Sequence, residues 1–287
     1  MPRFAYVNGR YVRHADAAVH IDDRGLVFAD AVYEVCQVQQ GFIVDLTRHL
    51  DRLDRSLGEI RIRPPMPRAA LTGIMREVLR RNRVVNGMVY LQVTRGRAKR
   101  DHVFPSPEVR ASLIVTAKAM NPAVNAAKYA AGIKAVTVAD NRWGRVDIKT
   151  VGLLPNVLAR QQAKEAGSQE AIFVDADGYV TEGGATNLWI VDRAGKLATR
   201  PADHAILRGV TRTTLLDVAK KLGIDVEERR FSVADMLEAR EVFITGATTI
   251  CLPVVSIDGQ TIANGHPGMT AQKIRDAFFA VAEKTAI

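Results

Sequence analysis

The chain has 287 residues, is 47% hydrophobic and carries two cysteines, so it can bury one large core or two modest ones without disulfide staples. Its formal charge of +9 invites a nucleic-acid reading, because clustered Lys and Arg bind phosphate non-specifically. The densest basic stretch, 76–83, shares its segment with Leu71, Ile74, Met75, Val78 and Leu79 at helical spacing, so its arginines form the wet face of an amphipathic helix. Aromatic interleaving and zinc-finger spacing are absent, and nucleic-acid binding is not expected. The opening residues lack a leader-like apolar run and no stretch reaches membrane-span length, which points to a soluble, cytoplasmic protein with no membrane partner.

In chain order, Asn8-Gly9 between FAYV and RYV predicts a hairpin, since both residues tolerate the positive φ of a type I′ turn. Helical patterns follow over 47–58, with Leu50, Leu53 and Leu57 in phase, and over 67–82. After the strand-like ASLIVTAKAM, the segment NPAVNAAK (121–128) reads as a break. Further helices are expected over 156–167, 211–223, 233–239 and 270–283, with hairpins at Asp177-Gly178 and Asp258-Gly259. Runs of strands and runs of helices indicate an α+β fold. The expected division is a small N-terminal α+β domain over 1–120, a linker over 121–133 and a larger C-terminal α+β domain over 134–287. No GxGxxG or GxxxxGK[ST] loop is present, which removes two common nucleotide folds. Cys36 and Cys251 sit in apolar runs without spacing partners and read as buried small hydrophobes; no metal site is expected.

Lys149, in RWGRVDIKTVG, is placed at or near the end of a short strand. Desolvation there would make its amine a nucleophile toward aldehydes, although a lysine at a strand end is more commonly a snorkelling surface residue. Glu182 precedes two glycines in YVTEGGATN, where backbone can approach a ligand, and is equally readable as a turn or helix cap. Gly209-Val210-Thr211 opens a helix with Thr211 as a natural N-cap, and free amides at such an end form an anion site. TGATT, 245–249, offers small residues and hydroxyls after a strand; capping and turn formation explain both segments as well. Arg100 and His102, in KRDH, suit a carboxylate, or simply belong to a solvated basic loop.

RGLVFADAVYE (24–34), HLDRL (49–53), VTRGRAKRDHVFP (93–105), DIK (147–149), TEGGATN (181–187), LRGVTR (207–212) and FITGATT (243–249) resemble, in order and spacing, the successive motifs of class IV aminotransferases. The resemblance spans most of the chain. It implies a two-domain fold with pyridoxal 5'-phosphate in the interdomain cleft, and a homodimer whose partner chain closes the site. It implies that Lys149 carries the cofactor as a Schiff base and serves as the catalytic acid and base, and that Glu182 faces the pyridine nitrogen. Arg52, Gly209, Val210, Thr211, Gly246, Ala247 and Thr248 match phosphate-binding positions, Leu207 the residue against the cofactor ring, and Tyr33 a tyrosine on the substrate side. Arg100 and His102 match the Arg-x-His pair of the D-amino-acid aminotransferases, which holds the substrate α-carboxylate from the neighbouring subunit. The expected reaction moves the amino group of D-amino acids such as D-alanine to 2-oxo acids such as 2-oxoglutarate. A branched-chain L-amino-acid aminotransferase, a 4-amino-4-deoxychorismate lyase and an (R)-amine transaminase share the cofactor shell; a non-catalytic basic binding protein is the alternative of another class. Ala29 and Ala31 stand where the family commonly has glycine, Gln37 where a lysine is familiar, and Gly246-Ala247 where a hydroxyl is frequent.

Overall fold

The computed structural model describes residues 3–287. The chain divides into two compact units, one comprising residues up to Asn121 with Ile148–Gly152 and Glu283–Ile287, the other Pro122–Asp147 with Leu153–Ala282.

In chain order the first stretch contains β1 (Phe4–Val7), β2 (Arg10–Arg13), α1 (Arg24–Phe28), β3 (Ala31–Gln39), β4 (Phe42–Val44), α2 (Leu46–Glu59), α3 (Arg68–Arg81), β5 (Gly87–Thr94) and β6 (Ser112–Ala119). The second unit supplies α4 (Pro122–Ala131), β7 (Ile133–Ala139), α5 (Leu154–Glu165), β8 (Glu170–Val174), β9 (Val180–Gly183), β10 (Asn187–Val191), β11 (Leu197–Thr199), α6 (Val210–Lys221), β12 (Val226–Glu228), α7 (Val233–Leu237), β13 (Glu241–Gly246), β14 (Ile250–Ile257), β15 (Gln260–Thr261) and α8 (Met269–Val281). The chain then returns to the first unit as β16 (Lys284–Ala286).

The first unit is an antiparallel sheet in the order β16-β4-β3-β5-β6-β1-β2. Alternation along β3 sends Val32, Glu34, Cys36 and Val38 to one face, which is buried, and Tyr33, Val35 and Gln37 to the other, which is half-buried. The buried face packs on α2 and α3. Leu46, Leu50, Leu53 and Leu57 recur on one side of α2 and are all buried, each contributing roughly 1.5–3 kcal/mol by leaving water. They join Leu71, Met75, Val78 and Leu79 of α3 in one core.

The second unit is a mixed sheet in the order β12-β11-β10-β13-β14-β7-β8-β9, with β15 paired to β14. The three-residue link from Gly183 to Asn187 closes with a bond from the Gly183 amide to the Thr186 carbonyl (2.7 Å). Strands at the end and in the middle of the order are thus joined by a link too short to cross a flat sheet, so the sheet curls.

The hairpins at Asn8-Gly9 and Asp258-Gly259 form with positive φ at all four residues. At Asp177-Gly178 only Gly178 has positive φ. There Val174 pairs with Val180 and Asp175 organises a longer loop, accepting from the amides of Asp177 and Tyr179. A hairpin with no Asn or Asp, Gln40-Gly41 between β3 and β4, makes the same positive-φ turn.

The expected linker over 121–133 is corrected: it is largely the helix α4, with Tyr129 buried as its anchor. The expected C-terminal domain over 134–287 also loses two pieces to the first unit. Residues 148–152 bond to β3, and 284–286 pair with β4. No helix among the described residues is long and apolar enough to cross a membrane.

Candidate functional site

In the first unit, Lys149 is held by backbone. Its carbonyl accepts from the Tyr33 amide (3.0 Å), the Val151 amide donates to the Ala31 carbonyl (3.1 Å), and Val32 and Thr150 form an isolated antiparallel bridge. The expected short strand is corrected: residues 144–147 form a turn and Thr150 makes a single bridge. The amine lies 4.1 Å from the centre of the Tyr33 ring. Tyr33 stacks on Tyr90 at 5.6 Å, and the Tyr90 hydroxyl donates to Gln92 Oε1 (2.7 Å). Burial and the neighbouring Tyr33 push that hydroxyl up to about 12, so it remains a donor at neutral pH.

Behind this face Arg52 forks onto Glu34, Nε to Oε1 and Nη2 to Oε2, both 2.7 Å. His49 Nδ1 lies 2.7 Å from Glu34 Oε2. Burial would raise the Glu34 carboxyl, but the charge and bonds of Arg52 with those of His49 hold it at about 2. Arg52 therefore carries its charge largely matched within the chain.

Arg100 and His102 are exposed on the loop between β5 and β6. Both flank Phe28: the Arg100 guanidinium carbon is 5.3 Å from its ring centre and the His102 ring is 5.3 Å from it, tilted by 45°.

In the second unit, β9 delivers Glu182 into a buried position. Oε1 accepts from Arg142 Nη1; Oε2 accepts from Asn187 Nδ2 (3.0 Å) and from the Leu207 amide (3.1 Å). Asn187 also donates to the Leu207 carbonyl (2.8 Å), tying β9, β10 and the segment before α6 together. Arg142 is fixed in turn by a fork onto Asp140 (2.9 and 2.7 Å) and by the Phe173 ring, 4.3 Å from its guanidinium carbon. Burial pushes Asp140 up, yet the Arg142 and Thr181 hydrogen bonds hold its carboxyl below the usual carboxylate range.

Helix α6 starts beside this network. Its N-cap is Gly209, correcting the expectation of Thr211, which is buried one residue inside the helix. Gly209 offers no side-chain cap, so the first-turn amides of Val210 and Thr211 are left to water or an anion. A Cβ on Gly209 would lie 2.1 Å from Asn187 Oδ1. The turn 246–249 adjoins Ala185 and Thr186, and a Cβ on Gly246 would meet both within 3.6 Å. It leads into Ile250 at φ +59°, a strained conformation for a β-branched residue of the kind found at ligand-binding loops.

The structure thus groups Lys149, Tyr33 and Arg52 around β3, with Arg100 and His102 on Phe28. In the other unit it groups Glu182, Leu207, Gly209, Val210, Thr211, Gly246, Ala247 and Thr248. Taken unit by unit, these are residue types that suit pyridoxal phosphate: an amine with a fixed backbone in the first, and in the second a buried carboxylate of fixed direction and a helix start whose amides have no side-chain cap. Sequence reasoning missed Asp140, Arg142, Asn187, Glu34 and His49. Glu34, His49 and Asn187 lie inside motifs, but local spacing carries no sign that Glu34 meets His49 across 15 residues or that Asn187 reaches Leu207 across 20.

The family model for amino-transferase class IV matches residues 31–257. The chain belongs to the class IV aminotransferase family. It is 38% identical over 273 residues to a D-alanine aminotransferase of Bacillus licheniformis, covering 94% of each chain. It is 40% identical over 268 residues to one of Listeria monocytogenes, covering 93% of this chain and 92% of that one. Among solved structures, a branched-chain amino acid aminotransferase of Escherichia coli superposes with a TM-score of 0.89 at 27% identity, covering 98% and 95% of the chains. A second branched-chain amino acid aminotransferase, of T.th. and solved with pyridoxamine 5'-phosphate, gives 0.88 at 26% identity, covering 97% and 93%. This class IV aminotransferase is a pyridoxal-phosphate-dependent transaminase with the fold of those enzymes.

Proposed function

We propose that this aminotransferase is a D-amino-acid transaminase that moves the amino group of D-alanine and related D-amino acids to 2-oxo acids such as 2-oxoglutarate, in ping-pong fashion. The observation that carries the proposal is the Arg100 and His102 pair, both exposed and both oriented against Phe28. A guanidinium fork and an imidazole two residues apart offer convergent donors to a carboxylate. The D-alanine aminotransferases at 38–40% identity add weight.

Lys149 is the residue assigned to carry the cofactor and to take the substrate α-proton on Nζ and return it. Glu182, held by Arg142, Asn187 and the Leu207 amide, would partner the pyridine nitrogen, and Leu207 would pack against the ring. The amides of Val210 and Thr211, with Gly209 and the Gly246-Ala247-Thr248 turn, would take the phosphate. Arg52 would assist, although its pairing with Glu34 shifts weight toward the amides. When bound, pyridoxal phosphate supplies an electron sink for the pair left on the substrate Cα. Tyr33, fixed between the Lys149 backbone and Tyr90, would bound the substrate side. The working form on this reading is a homodimer in the cytoplasm, the partner chain completing each site; sedimentation of the holoenzyme as a monomer would refute the dimer.

The branched-chain L-amino-acid reading is favoured by the solved structures at 26–27% identity. A panel of D- and L-amino acids against 2-oxoglutarate and pyruvate decides between them. D-alanine turnover well above L-leucine and L-isoleucine supports the proposal, and the reverse order overturns it. Lys149→Ala should abolish both transamination and the visible absorbance of the bound cofactor.

A further inference from the structure

Arg24 is a buried guanidinium outside the residues assigned so far, and it sits under the loop that bears Arg100 and His102. Its Nη1 donates to the carbonyls of Asp101 (2.5 Å) and Val103 (3.4 Å), and its Nη2 to that of His102 (3.4 Å). Three successive carbonyls, beginning immediately after Arg100, therefore converge on one side chain. The guanidinium is itself aimed by Asp30, whose Oδ2 accepts from Arg24 Nε (2.8 Å) and from Arg95 Nε (2.7 Å). The Arg24 amide donates to the Gly96 carbonyl (2.9 Å), fixing the start of the same loop.

One turn along α1, Phe28 completes the arrangement. Residues i and i+4 share a helix face, and the Arg24 guanidinium carbon lies 4.8 Å from the Phe28 ring centre. Arg100 and His102 contact that same ring. The loop otherwise has little regular structure, and residues 99–104 are exposed. Without an anchor, two long side chains on such a loop would lose substantial conformational freedom on gripping a ligand, which weakens binding.

We infer that Arg24, with Phe28, is a positioning residue for substrate recognition: it sets the backbone of 101–103 and the ring on which Arg100 and His102 lie, so that both reach a substrate carboxylate already ordered. This rests on the proposed role of Arg100 and His102. A fork is required for the task, because the compact ammonium of lysine cannot span three carbonyls and Asp30 at once.

The test uses the holoenzyme with D-alanine and 2-oxoglutarate. Arg24→Lys and Phe28→Leu should each raise KM for D-alanine about tenfold while kcat changes less than about twofold, the pattern of lost uniform binding. The visible absorbance of bound cofactor should be unchanged. In an Arg100→Ala/His102→Ala background, itself raised in KM, adding Arg24→Lys should raise KM by less than about twofold, since Arg24 acts through those two side chains. If Arg100→Ala raises KM but neither Arg24→Lys nor Phe28→Leu does, the positioning role is overturned while the carboxylate assignment stands. An additive effect of Arg24→Lys in that background overturns it likewise. If Arg100→Ala and His102→Ala both leave KM unchanged, the carboxylate assignment fails and the positioning role with it.

Discussion

At Glu34 an ion pair and an imidazole share a position that water does not reach. Removing one partner of a buried pair leaves the other charge uncompensated, which costs about 3–5 kcal/mol. Glu34→Gln is therefore expected to lower stability by about 3 kcal/mol near neutral pH. The native carboxyl sits at about 2 against an ordinary 4.5. Its contribution is fully present above the unfolded value and is lost as pH falls toward the folded one. Urea midpoints for wild type and variant should thus converge between about pH 4.5 and pH 2; a pH-independent gap would assign the loss to packing alone. Ala29 carries a cost of a different kind. It ends α1 at φ +55°, a conformation that costs a non-glycine L-residue roughly 1 kcal/mol or more, and Ala29→Gly should return about 1 kcal/mol, seen as a higher melting temperature. The sequence already marks Ala29 as a departure from the glycine common in the family, yet only the dihedral tells what the alanine costs. Lys149 and Glu182 are nameable from motif company, whereas the Arg142–Asp140 fork that aims Glu182 is not, because a buried arginine and a surface one read alike in a sequence.

Helix α6 starts at a glycine and has no side-chain cap. Periodicity in TRTTLLDVAKKLG gives its course, and the expected N-cap, Thr211, lies two residues after the observed one, Gly209. The reason for the displacement lies outside the helix: Asn187 bridges Glu182 and the Leu207 carbonyl and leaves no room for a side chain at Gly209. Gly209 has φ −61°, so alanine there is free of backbone strain and its main effect is the displacement of Asn187, with a lesser crowding of Arg212. Gly209→Ala should weaken pyridoxal phosphate binding by about tenfold, the scale of one disturbed hydrogen-bonded contact, with little change in helix content. Cofactor titration followed by visible absorbance measures it, and an unchanged Kd would remove Asn187 from the cofactor site. Other elements are legible to the extent that their signal is local. Leucines at helical spacing mark α2, and Asn-Gly marks the first hairpin. Gln40-Gly41 does not read as a turn because glutamine rarely takes positive φ, and α4 reads as a linker because its segment opens on Asn121-Pro122, a pair that favours turns.

Over the whole molecule the chain begins in the first unit, crosses to the second, returns with Ile148–Gly152 and returns again with Glu283–Ile287. A linear reading that assigns one domain to each half cannot anticipate this, since re-entrant segments of five residues carry no composition of their own. The return places Lys149 on the unit that holds Arg52 and Tyr33. It also makes the first unit dependent on the last residues of the chain. β16 pairs with β4 along three residues, Lys284 opposite Val44 through Ala286 opposite Phe42, and covers a strand edge that would otherwise stand open. Glu283 clamps the start of α2: its backbone carbonyl accepts from the Asp45 amide (2.9 Å), and its carboxylate accepts from the Thr47 amide (3.0 Å) and hydroxyl (2.9 Å). At roughly 1 kcal/mol net for each bond that is not replaced by water, removing residues 283–287 should destabilise the first unit by about 2–4 kcal/mol. The loss should be regional. Amide hydrogen exchange should accelerate across Phe42–Val44 and the first turn of α2, while the β13–β14 pairing keeps its protection. Uniform acceleration in both units would instead mean that the tail stabilises the molecule as one cooperative whole, and unchanged exchange in β4 would mean that its edge is held by β3 alone.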